Sequence, residues 1–217
     1  MLEINKFPYN LALNLCVLAS GSGTNLKAIL NAAEKRKISS KVALVISNNS
    51  GSGALRTASK HKIPSYHLSH AQFNSEKEFT GKLLSLLKKN KVDLIVLAGY
   101  MKMLSPVIIR KFKNRIINIH PALLPAFGGK GMYGIHVHEA VLSSGVKATG
   151  ATVHFVDEIY DNGAVILQKE VPVKPGDDAE KLRKRVLRTE HRLYPEAIKL
   201  FEEKKVLVRK GRVIINE

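Results

Sequence analysis

Continuous apolar runs alternate with helical patterns through the first half of the chain. "LNLCVLAS" precedes a helical pattern from Thr24, "KVALVIS" one from about Ser52, the short "PSYHLS" one from about Ser75, and "VDLIVLAG" comes next. Strands that are apolar at every position have both faces covered, and helices on both faces of a sheet accompany parallel strands. The expected fold is α/β and doubly wound: a mostly parallel sheet with helices on both faces. The helix expected over residues 75–89 opens on the capping-box pattern Ser75-Glu76-Lys77-Glu78, and Phe79, Leu83, Leu84, Leu86 and Leu87 form its apolar stripe.

The pattern changes after His120. The loop "PAFGGKGMYG" leads to a short helix expected over about residues 136–144, which Gly145 can close. "TGATVHFV" and "GAVILQKEV" then flank "DEIYDN", which reads as an antiparallel hairpin with a long connection, and long connections between rigid strands are often functional. A helix over about residues 177–203 and a small hairpin around Lys210-Gly211 complete the pattern. With no repeat, low-complexity tract or linker, residues 1–217 read as one domain.

A hydrophobic content of 45% over 217 residues supports a sizeable core and excludes disorder as a class. The single Cys16, inside an apolar run, excludes an intrachain disulfide and a cysteine-based zinc site, and fits a reducing compartment. Residues 11–19 resemble a signal-peptide core, but Glu3 precedes them, Asn14 interrupts them and a glycine-rich loop follows, so they read as a first buried strand. No run is long enough to span a bilayer, and a soluble cytoplasmic protein is expected, as monomer or homodimer. The net charge of +17 suggests an anionic partner. Basic residues are nevertheless spread over "AAEKRK", "LLKKNK", "IIRKFKNR" and "EKLRKRVLRTEHR" without interleaved aromatics. The expectation is therefore a solvated basic surface that assists capture of anionic substrates, with no nucleic acid and no membrane as partner.

Three loops carry candidate chemistry. "SGSGTN", residues 20–25, joins the first strand to the first helix, where backbone amides can hold an anion. It begins like a dinucleotide fingerprint, but Leu26 takes the third glycine position and "SNNSGS" replaces the ribose-binding acid after strand two. A monophosphate cradle at Gly23, Thr24 and Asn25 is one reading; a tight turn needing glycine for its geometry is the other. "LAGYMKMLSP" leaves the fourth strand at the same edge. In "INIHPALLP", strand alternation puts Asn118 and His120 on one face, and Pro121 stops the ladder. That pair is either a half-buried histidine beside a turn former or a donor and proton carrier aimed together at a ligand. Asp161 is the one carboxylate that the long hairpin connection could return to this cleft, or else a turn residue. His120, His136, His138 and His154 lack a recognised metal-ligand spacing, so no metal is expected.

In this order, the first loop, "LAGYMKMLSP", "INIHPALLP", "VHFVDEIYDNG" and "TEHRLYP" make the chain resemble the phosphoribosylglycinamide formyltransferases, folate-dependent enzymes of purine biosynthesis. The resemblance covers about residues 13–201. It implies transfer of a formyl group from 10-formyltetrahydrofolate, the donor cosubstrate, to the amine of glycinamide ribonucleotide, without a metal. Gly23, Thr24 and Asn25 match the phosphate loop, and Glu190 matches the carboxylate for the ribose hydroxyls. Tyr100, Met101, Lys102, Met103 and Leu104 match the folate wall, Val156 opens the folate loop at residues 156–161, and Asn118, itself also at the folate, joins His120 and Asp161 as the catalytic trio. Asp161 is expected to orient His120 and raise its pKa. Glu76 and Lys77 stand where many members have an arginine for the folate, and residues 128–138 are longer than in the shortest members. The runner-up expectations are a formyltetrahydrofolate deformylase, which would carry a further domain before the first strand, and a basic nucleic-acid-binding protein.

Overall fold

The computed structural model of the protein describes residues 12–216. Its first strand, β1 (Asn14–Leu18), starts three residues after Leu11, which lies outside the described residues. Through the parallel half, helices and strands alternate as α1 (Thr24–Glu34), β2 (Lys41–Ser47), α2 (Gly53–Lys60), β3 (Ser65–His67), α3 (Glu76–Lys89), β4 (Leu94–Leu97), α4 (Pro106–Lys111) and β5 (Ile116–His120). There follow α5 (Ile135–Ser143), β6 (Ala148–Phe155), β7 (Val165–Pro172), α6 (Ala179–Glu202) and the hairpin β8 (Val206–Arg209) and β9 (Arg212–Ile215). The seven-stranded sheet has the order β3-β2-β1-β4-β5-β6-β7, parallel from β3 to β5, with β6 and β7 added antiparallel. No helix among the described residues is long and apolar enough to cross a membrane.

Strand alternation divides the core into two layers. Leu15 and Val17, Leu94 and Val96, and Ile117 and Ile119 face α1 and α6 on one side; Cys16 and Leu18, Ile95 and Leu97, and Ile116 face α3 and α4 on the other. Both sides of each central strand are thus buried, the physical reason for their continuous apolar runs. Asn118 and His120 alternate with Ile117 and Ile119 and so share the face of Ile116.

The capping box of α3 closes one residue off its pattern. Ser75 Oγ accepts the Glu78 amide, but the Glu78 carboxylate takes the amide of Asn74, not that of Ser75. Along its stripe Phe79, Leu83, Leu86 and Leu87 are buried, whereas Leu84 is partly exposed at the edge. In α6 the fully buried Tyr194 shares its hydroxyl proton between the carbonyls of Leu97 and Ile117, at 2.8 and 3.1 Å. These carbonyls belong to the neighbouring strands β4 and β5, so one side chain ties together the two strands from which the candidate loops emerge.

Candidate active site

At the carboxyl ends of the parallel strands, where open α/β sheets place ligands, the loops "SGSGTN", "LAGYMKMLSP" and "INIHP" enclose a cleft of about 600 Å³. Gly23, Thr24, Asn25, Tyr100, Met101, Lys102, Met103, Leu104, Asn118, His120, Val156, Asp161 and Glu190 all line it. Glu76 and Lys77 do not: the Glu76 carboxylate meets His70 Nε2 at 2.9 Å and the Thr80 hydroxyl at 3.1 Å. Of residues 128–138, Gly129, Lys130, Gly131, Met132, Tyr133, Gly134 and His138 form part of the wall.

The first loop is shaped by close packing. Gly23 is the N-cap of α1 at φ 74°, and a Cβ there would lie 2.8 Å from the Ala54 Cα, so glycine is required by conformation and by space. Ser20 knits this loop to its neighbour: its hydroxyl donates to Asn48 Oδ1 (2.6 Å) and accepts the Met101 amide (2.9 Å). Asn25 donates to Glu190 at 2.7 Å, while its own Oδ1 is buried without a partner. Burial pushes the Glu190 carboxyl above its ordinary pKa, against the opposing pull of the Asn25 hydrogen bond. Arg183, Leu187 and Glu190, at helical spacing on α6, form one wall of this end of the cleft.

The other centre gathers around Asp161. Its carboxylate accepts the Gly129 amide at 3.0 Å and lies 3.5 Å from His120 Nδ1, 3.6 Å from His154 Nε2 and 3.5 Å from Asn118 Nδ2. Burial pushes its pKa up, but the His154, His120 and Gly129 contacts outweigh this and hold it below the ordinary value. His154 Nδ1 lies 2.7 Å from the Phe155 carbonyl, and its Nε2 lies 3.1 Å from Asn118 Nδ2. His120 Nε2 faces the Phe127 carbonyl at 2.8 Å. Both His120 nitrogens therefore meet acceptors, and a neutral ring leaves one of the two contacts repulsive.

The His120 pKa is lowered, not raised as the resemblance led one to expect. Burial is the largest influence and lowers it; the Asp161 carboxylate and the Phe127 carbonyl pull upward without overcoming it, and His154 adds a further lowering. An anionic neighbour raises an imidazole pKa only as far as the lost hydration allows.

The structure brings Asn118, His120 and Asp161 together and adds His154, which the sequence reading weighed only as a metal ligand. Asn118 and His154 are direct cross-strand partners in the β5–β6 ladder, a relation set by register. Arg183 was not singled out, and His138, weighed in the sequence only as a metal ligand, is buried in the wall with Nδ1 unpartnered. Among the described residues, no group of three or more His, Cys, Asp or Glu side chains is placed to hold a metal ion.

The family model for formyl transferases matches residues 13–198. A chloroplastic phosphoribosylglycinamide formyltransferase from Vigna unguiculata is 41% identical over 199 residues, covering 92% of this chain, which spans 64% of that relative's length. The phosphoribosylglycinamide formyltransferase of Haemophilus influenzae is 39% identical, with 87% of each chain covered. The crystal structure of glycinamide ribonucleotide transformylase 1 from Symbiobacterium toebii superimposes with a TM-score of 0.89 at 42% identity, covering 95% of both chains. The chain belongs to the formyl transferase family, among the phosphoribosylglycinamide formyltransferases.

Proposed function

We propose that this chain, as one formyltransferase domain, moves the formyl group of 10-formyltetrahydrofolate to the amine of glycinamide ribonucleotide, a step of purine biosynthesis. The observation that carries the reading is a single cleft lined both by the glycine loop at the N-terminus of α1, with the buried Glu190 carboxylate, and by the Asn118–His120–Asp161 cluster. The ribonucleotide phosphate docks on Gly23, Thr24 and Asn25 at the N-terminus of α1, and Glu190 takes the ribose hydroxyls. The folate lies along Tyr100, Met101, Lys102, Met103 and Leu104 and against Val156.

The substrate amine attacks the formyl carbon, its C=O electrons move to oxygen, and a tetrahedral intermediate carries the negative charge. Asn118 Nδ2 and His120 Nε2 are the donors for that oxygen; His120 gives up its bond to the Phe127 carbonyl to make this one. The amine then loses a proton, the carbon–nitrogen bond to the folate breaks, and the departing folate nitrogen is protonated. Proton uptake on His120 Nδ1 turns its repulsive contact with Asp161 into an attractive one, so the cluster favours holding the transferred proton for one step.

The decisive assay follows folate release spectroscopically with and without glycinamide ribonucleotide. Release that requires the ribonucleotide and yields its formylated product supports the proposal. Equal release in water alone would make the protein a deformylase.

A further inference from the structure

The basic residues look scattered in sequence, but folding gathers many of them on one edge. The four helix-to-strand turns at residues 34–41, 60–62, 88–93 and 111–115 all lie at the amino ends of the parallel strands, opposite the cleft. Hydrogen bonds knit this edge together, Lys41 N to Leu13 O, Asp93 N to Asn14 O and Ile95 N to Arg115 O among them. These short segments hold twelve lysines and arginines against two carboxylates, Glu34 and Asp93, and so ten of the chain's net +17 charges. Both carboxylates are engaged locally, Glu34 with His61 and Asp93 with the Asn14 amide.

α1, α2 and α3 each end in the same paired hydrogen bonds, such as Lys37 N to Ala32 O with Arg36 N to Ala33 O. This closure puts one residue in the left-handed region, where glycine is the unstrained choice. Here Arg36, Lys62 and Lys91 occupy it, at φ 54°, 56° and 49°, and Lys204 does the same after α6. A single cation near a helix end is explained by the helix dipole. Clusters of two to four per turn, extending into positions that disfavour any side chain, exceed that explanation.

We propose that this edge is a docking surface for the phosphate backbone of double-stranded nucleic acid, read without regard to sequence. From β3 to β5 the edge crosses four strand spacings, about 19 Å. A duplex presents on the order of ten phosphate charges over such a length, comparable with the net charge of the edge. No Phe, Tyr or Trp ring is exposed in the four turns, Phe112 being buried, so unstacked single-strand bases find only the His61 ring to stack on. The exposed large apolar side chains lie elsewhere, among them Met101, Tyr133 and Ile159, so the edge lacks the apolar anchors of a membrane-surface element. Phosphate contacts alone, by contrast, supply essentially all of non-specific duplex binding.

The test uses the full chain and a fluorescein-labelled mixed-sequence duplex of about 20 base pairs, in DNA and RNA forms, with anisotropy read between about 50 and 200 mM salt. Expected is a micromolar-range Kd and a log–log salt slope of roughly −4 or steeper, from at least one phosphate per turn at about 0.9 each. The triple variant Arg36→Gly, Lys62→Gly, Lys91→Gly relieves three left-handed residues, so its unfolding midpoint holds or rises, while its salt slope flattens by about 2–3. A control variant, Lys82→Gln, Lys169→Gln, Lys174→Gln, removes equal charge elsewhere and changes the affinity less. Equal losses in the two variants, a flat salt response, or binding confined to phosphatidylserine vesicles would overturn the proposal. Formyl transfer by the triple variant is a separate readout and stays at the parent value.

Discussion

Asp161 brings one carboxylate within reach of Asn118, His120, His154 and the Gly129 amide, so changing it to asparagine removes charge while keeping shape. The His120 pKa, already lowered by burial, loses its main upward pull and falls further. Asp161→Asn should reduce kcat by about 10²–10⁴-fold, the range of a general acid–base contribution, with the fold intact. NMR titration of His120 beside steady-state kinetics checks this; near-normal turnover with an unmoved titration removes Asp161 from the cluster's chemistry. His138 yields a different pH effect. Burial, with Arg183 beside it and only Glu180 pulling the other way, holds its pKa at about 4 against an ordinary 6.5. Between those values the unfolded chain binds a proton that the folded ring refuses, so stability is full above about pH 6.5 and declines as pH falls. Urea midpoints at pH 7 and pH 5 should differ less in His138→Gln than in the parent; an equal drop would place the pH sensitivity elsewhere.

At the scale of elements, the turn that starts α1 makes a sharp prediction. Gly23→Ala places a Cβ 2.8 Å from the Ala54 backbone at φ 74°, so α1 and α2 must part. The left-handed conformation alone costs about 1–2 kcal/mol for a non-glycine residue. The variant should lose at least that much stability by urea unfolding and show a raised KM for the ribonucleotide, because the phosphate loop moves with it. Stability and KM both at parent values would mean the turn adapts freely. The same elements show what was legible in the chain. The apolar runs, the Ser75 cap and the Lys210-Gly211 turn marked the helices, strands and final hairpin, because each is a local rule written in adjacent residues. Asn118 and His120 could be put on one face from strand alternation alone. His154 could not, because its place opposite Asn118 depends on the β5–β6 register across 36 residues. The direction of the His120 shift was missed for a related reason: the charge of Asp161 is visible in sequence, while the degree of burial is a property of the packed cleft.

For the whole molecule, where the charge lies matters more than its sum. A net +17 suggests steering of anionic substrates, but ten of those charges sit at the amino ends of the strands, opposite the cleft. Strands of three to seven residues separate the two edges by roughly 10–23 Å at about 3.3 Å per residue. That exceeds the screening length of about 8 Å at physiological ionic strength, so the far edge contributes little to capture. The cations positioned to act are those in the cleft wall, Lys102, Lys130 and Arg183. Arg183 is held by Glu180 through contacts of 2.9–3.1 Å and its charge reaches Glu190, whereas Lys102 and Lys130 are exposed. Lys130→Gln should therefore lower kcat/KM by a few-fold at low salt and lessen its fall with rising ionic strength, because a steering charge acts on association and is screened by salt. Replacing Arg36, Lys62 and Lys91 with glycine removes three times as much charge yet should leave kcat/KM and its salt response unchanged. Measuring kcat/KM across ionic strength for the parent and both variants separates local from global electrostatics. If the distant triple variant loses as much capture as Lys130→Gln, the net charge acts as a whole and its distribution over the two edges is irrelevant to catalysis.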